Sequence, residues 1–209
     1  MRRRGRAIGI AVGLAFVAAC DHTTSMAPPD AVADGASIDV PSTRRVVFAS
    51  SELYTGNLGG LAGADAACQQ LATAVALGGT FKAWLSDGTS FARDRTTHSD
   101  LPYTLVDGTI VAQGWAGLTS GTLLHAINRT EAGTLPPTGT YSCAPFVWTS
   151  AWADGTHVLN DCAGWTSSSA SVDGDGGDWT KADGTWSYWG CTDTQRGCSG
   201  TAALYCIQQ

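Results

Sequence analysis

Three aspartates form a group of potential metal ligands in the second half of the chain. Asp173, Asp175 and Asp178 stand in the sequence DGDGGD. Calcium is held by several carboxylate oxygens on a flexible loop, so three carboxylates within six residues could form a calcium site. The EF-hand pattern fails, because its sixth position holds Asp178 instead of glycine and its twelfth holds Gly184 instead of glutamate. We therefore favour a solvated acidic turn without a cation, with calcium binding as the alternative.

Tryptophans crowd the same region, which spans 35 residues between Cys162 and Cys198. A segment this long without periodicity is typical of a functional loop. Tryptophan offers a large rigid apolar surface with one N–H donor, which suits contacts with sugars and proteins. We predict a ligand-binding surface from the three that follow the aspartates, with local packing as the alternative: Trp179, Trp186 and Trp189. For four other tryptophans we predict core positions: Trp84, Trp115, Trp148 and Trp165.

The histidines form no catalytic pattern. His22, His98, His125 and His157 are isolated in the sequence, and neither an HExxH motif, a GxSxG motif nor a glycine-rich phosphate loop occurs. Cysteines engaged in disulfides leave no thiol nucleophile. The sequence therefore predicts a protein that is not an enzyme, with no cofactor other than the calcium considered above.

The N-terminus has the pattern of an export signal. Met1 to Arg6 is positively charged, and Ala7 to Ala19 is uncharged and too short to span a membrane. The ending VAAC resembles the bacterial lipobox, in which the cysteine becomes the lipidated first residue. We predict a lipoprotein signal peptide over 1–19, a lipidated Cys20 with a flexible tether over 20–43, and one domain over 44–209. A plain secretory signal is the alternative.

Membrane attachment through the lipid implies an exported bacterial lipoprotein. We expect it at the outer membrane or cell surface. Asp21, directly after the acylated cysteine, favours the periplasmic face of the inner membrane under the sorting rule of enteric bacteria. The lipid tethers the mature protein to the membrane without embedding it, because two or more acyl chains anchor a protein stably.

Charge excludes polyanionic partners. Four of the 12 basic residues precede the first apolar run, so the remainder carries eight basic residues against 18 acidic ones, a net charge of −10. Such a chain repels phosphate backbones and sulfated polysaccharides. Nucleic acid and heparin-like polyanions are therefore excluded as expected partners.

Six cysteines follow Cys20, namely Cys68, Cys143, Cys162, Cys191, Cys198 and Cys206. An even number in an exported domain predicts three disulfides, with fifteen connectivities open. Zinc binding is disfavoured, because the closest pairs are too widely spaced for a zinc knuckle.

The elements that must position these residues are mostly short. One helix is predicted, because Leu61, Ala64, Cys68, Leu71 and Val75 recur at helical spacing, with Gly78 and Gly79 as the stop. Strands are predicted at 46–48, 81–85, 147–148 and 203–207, and a hairpin turn at Asp107-Gly108.

Five segments occur in order along residues 46–209: GLAGADAACQQLATAVALGGTFKAWLSDG, LPYTLVDGTIVAQGWAGL, FVWTSAWADG, CAGWTS and ALYCIQQ. They resemble the endostatin domain of collagen C-termini and its bacterial relatives, the endostatin-like outer-membrane lipoproteins. The resemblance implies a C-type-lectin-like α+β fold with twisted antiparallel strands, one main helix, a long irregular loop region and disulfide staples. It also implies the pairs Cys68–Cys206 and Cys162–Cys198, which leaves Cys143 with Cys191.

The ligands of those relatives do not carry over. The chain lacks the clustered arginines of endostatin, its N-terminal zinc histidines and the triplets of calcium-dependent lectins. We therefore expect a lipid-anchored surface module, adhesin-like or lectin-like, that binds an extracellular protein or glycan through residues 163–197. A structural envelope lipoprotein without a specific ligand is the alternative.

Overall fold

A seven-stranded sheet organises the described part of the chain around its last strand. The computed structural model describes residues 42–141, 145–190 and 197–209. The strands are β1 (Arg45–Ala49), β2 (Phe81–Ala83), β3 (Tyr103–Thr104), β4 (Ile110–Ala112), β5 (Val147–Trp148), β6 (Gly176–Gly177) and β7 (Ala203–Gln208). The helical segments are α1 (Gly60–Ala74), α2 (Ala92–Arg95), α3 (Gly114–Leu118), α4 (Cys162–Trp165) and a 3₁₀ turn at Gly184–Trp186.

The sheet is mixed rather than purely antiparallel. Its order is β4-β3-β1-β7-β5-β6, and β2 also pairs with β7. The expectation of antiparallel strands is wrong for two pairs, since β1 runs parallel to β3 and β5 runs parallel to β7. Long connections make this feasible, because parallel strands need a crossover of a dozen or more residues. The predicted α+β class is confirmed, and the structure adds that the sheet is curled.

Alternating side chains give the sheet a core on both faces. Val46 and Phe48 of β1 pack with α1 and the aromatic residues around Trp148. Val47 and Ala49 point the other way, into a second core that contains Trp84, Trp186 and Tyr205. A period of two along a strand sends successive side chains to opposite faces. The central strands are therefore buried on both sides, which accounts for their continuous apolar runs.

The predicted helix is confirmed as α1. Ala64, Cys68 and Leu71 are buried on its inner face, whereas Val75 lies at the exposed C-cap. Cys68 is bonded to Cys206 of β7, so a disulfide joins the helix to the central strand. Gly63 is required for the close approach of the incoming chain, because a Cβ there would lie 2.0 Å from the Leu58 carbonyl oxygen.

The helix ends earlier than the glycines predict. Ala76 adopts a positive φ of 57°, and its N–H donates to the Thr73 carbonyl while the Leu77 N–H donates to the Ala72 carbonyl. This is a Schellman ending, in which glycine usually takes the left-handed position. The hydrogen bonds impose the conformation on an alanine, and Gly78 lies beyond the cap.

Substituting Ala76→Gly is expected to stabilise the protein by about 1 kcal/mol, because the left-handed conformation penalises a Cβ. Urea unfolding of the variant measures the gain. Ala66→Gly, at an exposed position in the middle of the helix, is the matched control and should destabilise by a similar amount. Destabilisation by both changes would contradict the assigned ending.

Side chains from α1 close the outer edge of β2. The N–H of Phe81 donates to Gln69 Oε1 at 2.9 Å, and the N–H of Ala83 donates to Asp65 Oδ1 at 2.9 Å. Arg95 completes the closure, since its Nη2 donates to Asp65 Oδ1 at 2.6 Å and its Nη1 to the Ala83 carbonyl at 3.3 Å. The edge strand therefore pairs with side chains where a further strand would otherwise pair.

A left-handed turn and a second disulfide hold the start of the long loop region. Cys162, Ala163, Gly164 and Trp165 of α4 all have positive φ, between 52° and 67°. Cys162 is bonded to Cys198, and the Trp165 indole N–H donates to the Ser86 carbonyl at 2.8 Å. These long-range contacts impose a conformation that costs about 1 to 2 kcal/mol per non-glycine residue.

Both disulfides implied by the family resemblance are present, Cys68–Cys206 and Cys162–Cys198. The predicted hairpin is also confirmed, with Asp107-Gly108 between β3 and β4. Cys20, Cys143 and Cys191 lie outside the described residues, so their predicted lipidation and pairing stay predictions.

Candidate functional site

Two of the three predicted ligand-binding tryptophans are core residues. Trp186 is 0% exposed. Its ring packs at a tilt against the rings of Trp84 and Tyr205, and each pair of ring centroids is 5.5 Å apart. Trp179 is 9% exposed and belongs to the same core. The prediction of a surface role is therefore wrong for both, because the loop folds back onto the sheet. Trp189 is half-buried, and its backbone N–H donates to the Gly176 carbonyl.

Ser187 fixes the loop to the second core. Its hydroxyl accepts a hydrogen bond from the Trp84 indole N–H at 2.8 Å and donates to the carbonyl of Ala151 at 2.8 Å. The Tyr205 hydroxyl donates to the Trp186 carbonyl at 3.1 Å. Burial and the charge of Asp178 raise the pKa of Tyr205 well above its ordinary value, so the hydroxyl keeps its proton. These bonds determine where the next residue, Tyr188, emerges.

Substituting Ser187→Ala is expected to cost about 1 to 3 kcal/mol, because the buried Trp84 N–H loses its acceptor. Urea unfolding measures the loss, and Ser171→Ala, at an exposed serine, should change little. A second comparison uses Trp84→Phe. If Ser187→Ala costs as much in that background as in the native chain, the hydrogen bond is not the cause.

Trp152 is the exposed tryptophan of the chain. All eight tryptophans lie within the described residues, and only Trp152, at 48%, has an exposed side chain. Its ring meets that of Tyr188 edge to face, with centroids 4.5 Å apart and planes at 65°. The Ser187 hydroxyl also lies 3.2 Å from the Trp152 carbonyl oxygen. Ser187 therefore helps to position both Trp152 and its own neighbour, Tyr188. The two rings form an aromatic corner at the surface.

Trp152 begins a tight hairpin that presents Asp154 opposite Arg93 of α2. The backbone N–H of Trp152 donates to the Thr156 carbonyl, and the Gly155 N–H donates to the Trp152 carbonyl, both at 2.8 Å. Asp154 at the tip accepts from the Thr156 N–H and hydroxyl through Oδ1. Its Oδ2 lies 3.9 Å from Nη1 of Arg93. We call Trp152, Tyr188, Asp154 and Arg93 the hairpin surface.

The hairpin is clamped to the body of the domain. Gly155 has a φ of 80°, and a Cβ there would lie 2.7 Å from the Arg93 nitrogen and 2.9 Å from Cη2 of Trp84. The Arg93 N–H donates to the Gly155 carbonyl at 3.2 Å. Burial opposes ionisation of Asp154, but the Thr156 hydrogen bonds and the Arg93 charge together lower its pKa. The hairpin surface is therefore pre-organised and carries a carboxylate at neutral pH.

The aspartates considered for calcium binding differ in burial, and the two buried ones accept hydrogen bonds from different parts of the chain. Asp173 is exposed, whereas Asp175 and Asp178 are buried. Asp175 Oδ2 accepts from the Asn160 N–H at 2.9 Å, and Asp178 Oδ1 accepts from the Thr180 N–H and hydroxyl. Among the described residues, no group of three or more His, Cys, Asp or Glu side chains could hold a metal ion. The calcium alternative is wrong for this trio, since backbone N–H groups and the Thr180 hydroxyl bind the buried carboxylates. The favoured solvated turn is also wrong for Asp175 and Asp178, which are buried.

Sequence reasoning missed the hairpin surface. Trp152 lies in the segment FVWTSAWADG, which the resemblance assigns to the fold as a whole. The available signal was the Ala-Asp-Gly turn directly after it, since a turn places its neighbours at the surface. Tyr188 carried no comparable signal, because its position depends on the buried contacts of Ser187.

The site and the fold define a disulfide-stapled α+β domain with an exposed aromatic corner. The chain belongs to the family described as proteins of unknown function, DUF1554, whose sequence pattern matches residues 51–182. The match includes Cys68, Cys162 and Trp152 and stops before Tyr188. A search of curated proteins gave no match. Within the described residues, no helix is long and apolar enough to cross a membrane.

Proposed function

We propose that this protein is a lipid-anchored surface binding module that recognises an extracellular ligand, a glycan or a protein, and is not an enzyme. Its fold in this proposal is C-type-lectin-like and endostatin-like. Cys20 carries the lipid, and the mature protein faces outward from the outer membrane or cell surface. The contact surface is the hairpin surface, in place of the tryptophan trio suggested by the sequence.

The observation that carries the proposal is the exposure of Trp152 beside Tyr188. The domain buries Trp84, Trp148, Trp165 and Trp186 completely, so exposing one tryptophan is not a general feature of this chain. Burying a large aromatic side chain against a ligand gives substantial free energy at low entropic cost, because few bonds rotate. The clamped hairpin reduces that cost further.

Two further observations support the assigned class. The nested pairing of Cys68 with Cys206 and Cys162 with Cys198 is the pairing that the endostatin resemblance implies. The disulfides also suit an exported protein, since such bonds persist in oxidising compartments. Fold does not determine function, so the ligand must be argued from the hairpin surface.

The experiment is binding of the full-length, oxidised protein to an immobilised panel of glycans and matrix proteins. Saturable binding that Trp152→Ala removes and Leu159→Ala preserves is the expected result. Leu159 is the matched control, because it is 72% exposed and lies outside the hairpin surface. The proposal fails if folded protein binds nothing on the panel, or if Trp152→Ala leaves the binding unchanged.

The anchor has its own experiment. Cells that express the native chain should incorporate labelled palmitate into the protein, and a Cys20→Ser variant should incorporate none. Labelling that persists in the Cys20→Ser variant would contradict the lipidation site.

A structural envelope role is the second candidate, favoured by the burial of Trp179 and Trp186. In that role the loop region stabilises the domain and recognises nothing. Both candidates predict that Trp186→Ala destabilises the protein, because Trp186 is buried in either role. Only the binding experiment with Trp152→Ala distinguishes them.

A further inference from the structure

The hairpin surface combines a flat apolar ring with a spaced pair of opposite charges. Trp152 and Asp154 lie two residues apart in a turn closed by the bond from Gly155 N–H to the Trp152 carbonyl. Arg93 reaches the same turn from α2, since its N–H donates to the Gly155 carbonyl. Trp152 and Asp154 are exposed while Ala153 between them is buried, so the ring and the two charges lie on the outside of the same turn.

The separation of the charges is informative. Asp154 Oδ2 and Arg93 Nη1 are 3.9 Å apart, which is longer than a charge-assisted hydrogen bond. Both side chains are about half exposed, at 52% for Asp154 and 44% for Arg93. Oδ1 of Asp154 is held by Thr156, which fixes the carboxylate plane. One acceptor and several donors thus remain available to groups that enter between them.

Neighbouring hydroxyl groups match this arrangement. Each hydroxyl can donate to a carboxylate and accept from a guanidinium, so a vicinal diol satisfies both charges at once. A sugar ring that carries such a diol also presents an apolar face of C–H groups, which packs on an exposed indole. A stable protein interface takes about 20 to 30 residues on each side, whereas the hairpin surface consists of four, a size that suits a small ligand.

We propose that the hairpin surface binds a glycan, with a pyranose ring on Trp152 and a vicinal diol between Asp154 and Arg93, without a metal ion. This inference rests on the proposed binding function and names its ligand class. Tyr188 sets the orientation of the Trp152 ring through their edge-to-face contact.

The test is titration of the full-length protein with a panel of methyl pyranosides and short oligosaccharides in the presence of EDTA. We expect saturable binding to at least one pyranoside class. Trp152→Ala should lower the affinity about tenfold or more, and Asp154→Asn and Arg93→Met should each lower it about fivefold to tenfold. Leu159→Ala should leave it unchanged, and a Tm close to that of the native protein shows that each variant is folded.

The outcomes separate the inference from the proposed function. Binding to a matrix protein but to no saccharide, with dependence on Trp152, would overturn the glycan assignment and leave the binding module intact. Saccharide binding that EDTA abolishes, or that none of the three substitutions weakens, would also overturn it. Silence of the folded protein toward both ligand classes would overturn both proposals.

Discussion

Replacing Cys68 and Cys206 together by serine is expected to lower the free energy of unfolding by about 5 kcal/mol. The bond closes a loop with a sequence separation of 138 and joins α1 to β7, the central strand of the sheet. Breaking it frees the unfolded chain to expand, and domains of this kind are stable by only about 5 to 15 kcal/mol. Urea unfolding of the otherwise oxidised variant, followed by circular dichroism, measures the loss.

The Cys162–Cys198 bond supplies the comparison. Its sequence separation is 36, so a double serine variant at these positions should lose about 4 kcal/mol, less than the first variant. The left-handed turn at α4 should relax in this variant, which hydrogen exchange at Thr166 and Ser167 would detect. A loss below about 1 kcal/mol in the Cys68–Cys206 variant would show that the helix is held to the sheet by packing alone.

Trp186→Ala is expected to destabilise the protein by about 3 to 5 kcal/mol. The side chain fills the space between Trp84 and Tyr205, and its removal leaves a cavity in the second core. The loop region would lose its main apolar anchor. Thermal and urea unfolding give the change in stability.

Trp152→Ala is the matched control for Trp186→Ala, since it removes the same side chain from the surface. Its cost should stay below about 1 kcal/mol, mainly from the lost contact with Tyr188. Equal costs at the two positions would contradict the assignment of Trp186 to the core and Trp152 to the surface.

Local spacing was sufficient for the elements that depend on local contacts. Helical spacing around Cys68 predicted α1 and its buried face, and the Asp107-Gly108 pair predicted the hairpin between β3 and β4. Trp84, Trp148 and Trp165 were predicted as core and are buried, while Trp115 is half-buried. The helix and hairpin predictions worked because each depends on residues close together in sequence, whereas the core tryptophans were assigned from the segments that resemble the endostatin domain and from the position of Trp165 after Cys162.

The candidate site depended on contacts between distant residues and was mostly missed. Nothing near Trp186 in the sequence indicates that Trp84 and Tyr205 surround it. Trp84 lies directly after β2, and Tyr205 lies in β7. The hydrogen bonds that occupy Asp175 and Asp178 are likewise invisible in the DGDGGD pattern. The left-handed position at Ala76 contradicts residue preference, because hydrogen bonds of the helix ending outweigh the cost of its Cβ.

The side-chain closure of β2 bears on how copies of this protein behave when they are crowded. An open strand edge offers a row of backbone donors and acceptors, and neighbouring molecules can pair with it and aggregate. Asp65, Gln69 and Arg95 already occupy the outward N–H groups of Phe81 and Ala83 and the Ala83 carbonyl. At high local concentration, this edge therefore offers neighbouring copies no template for fibril growth.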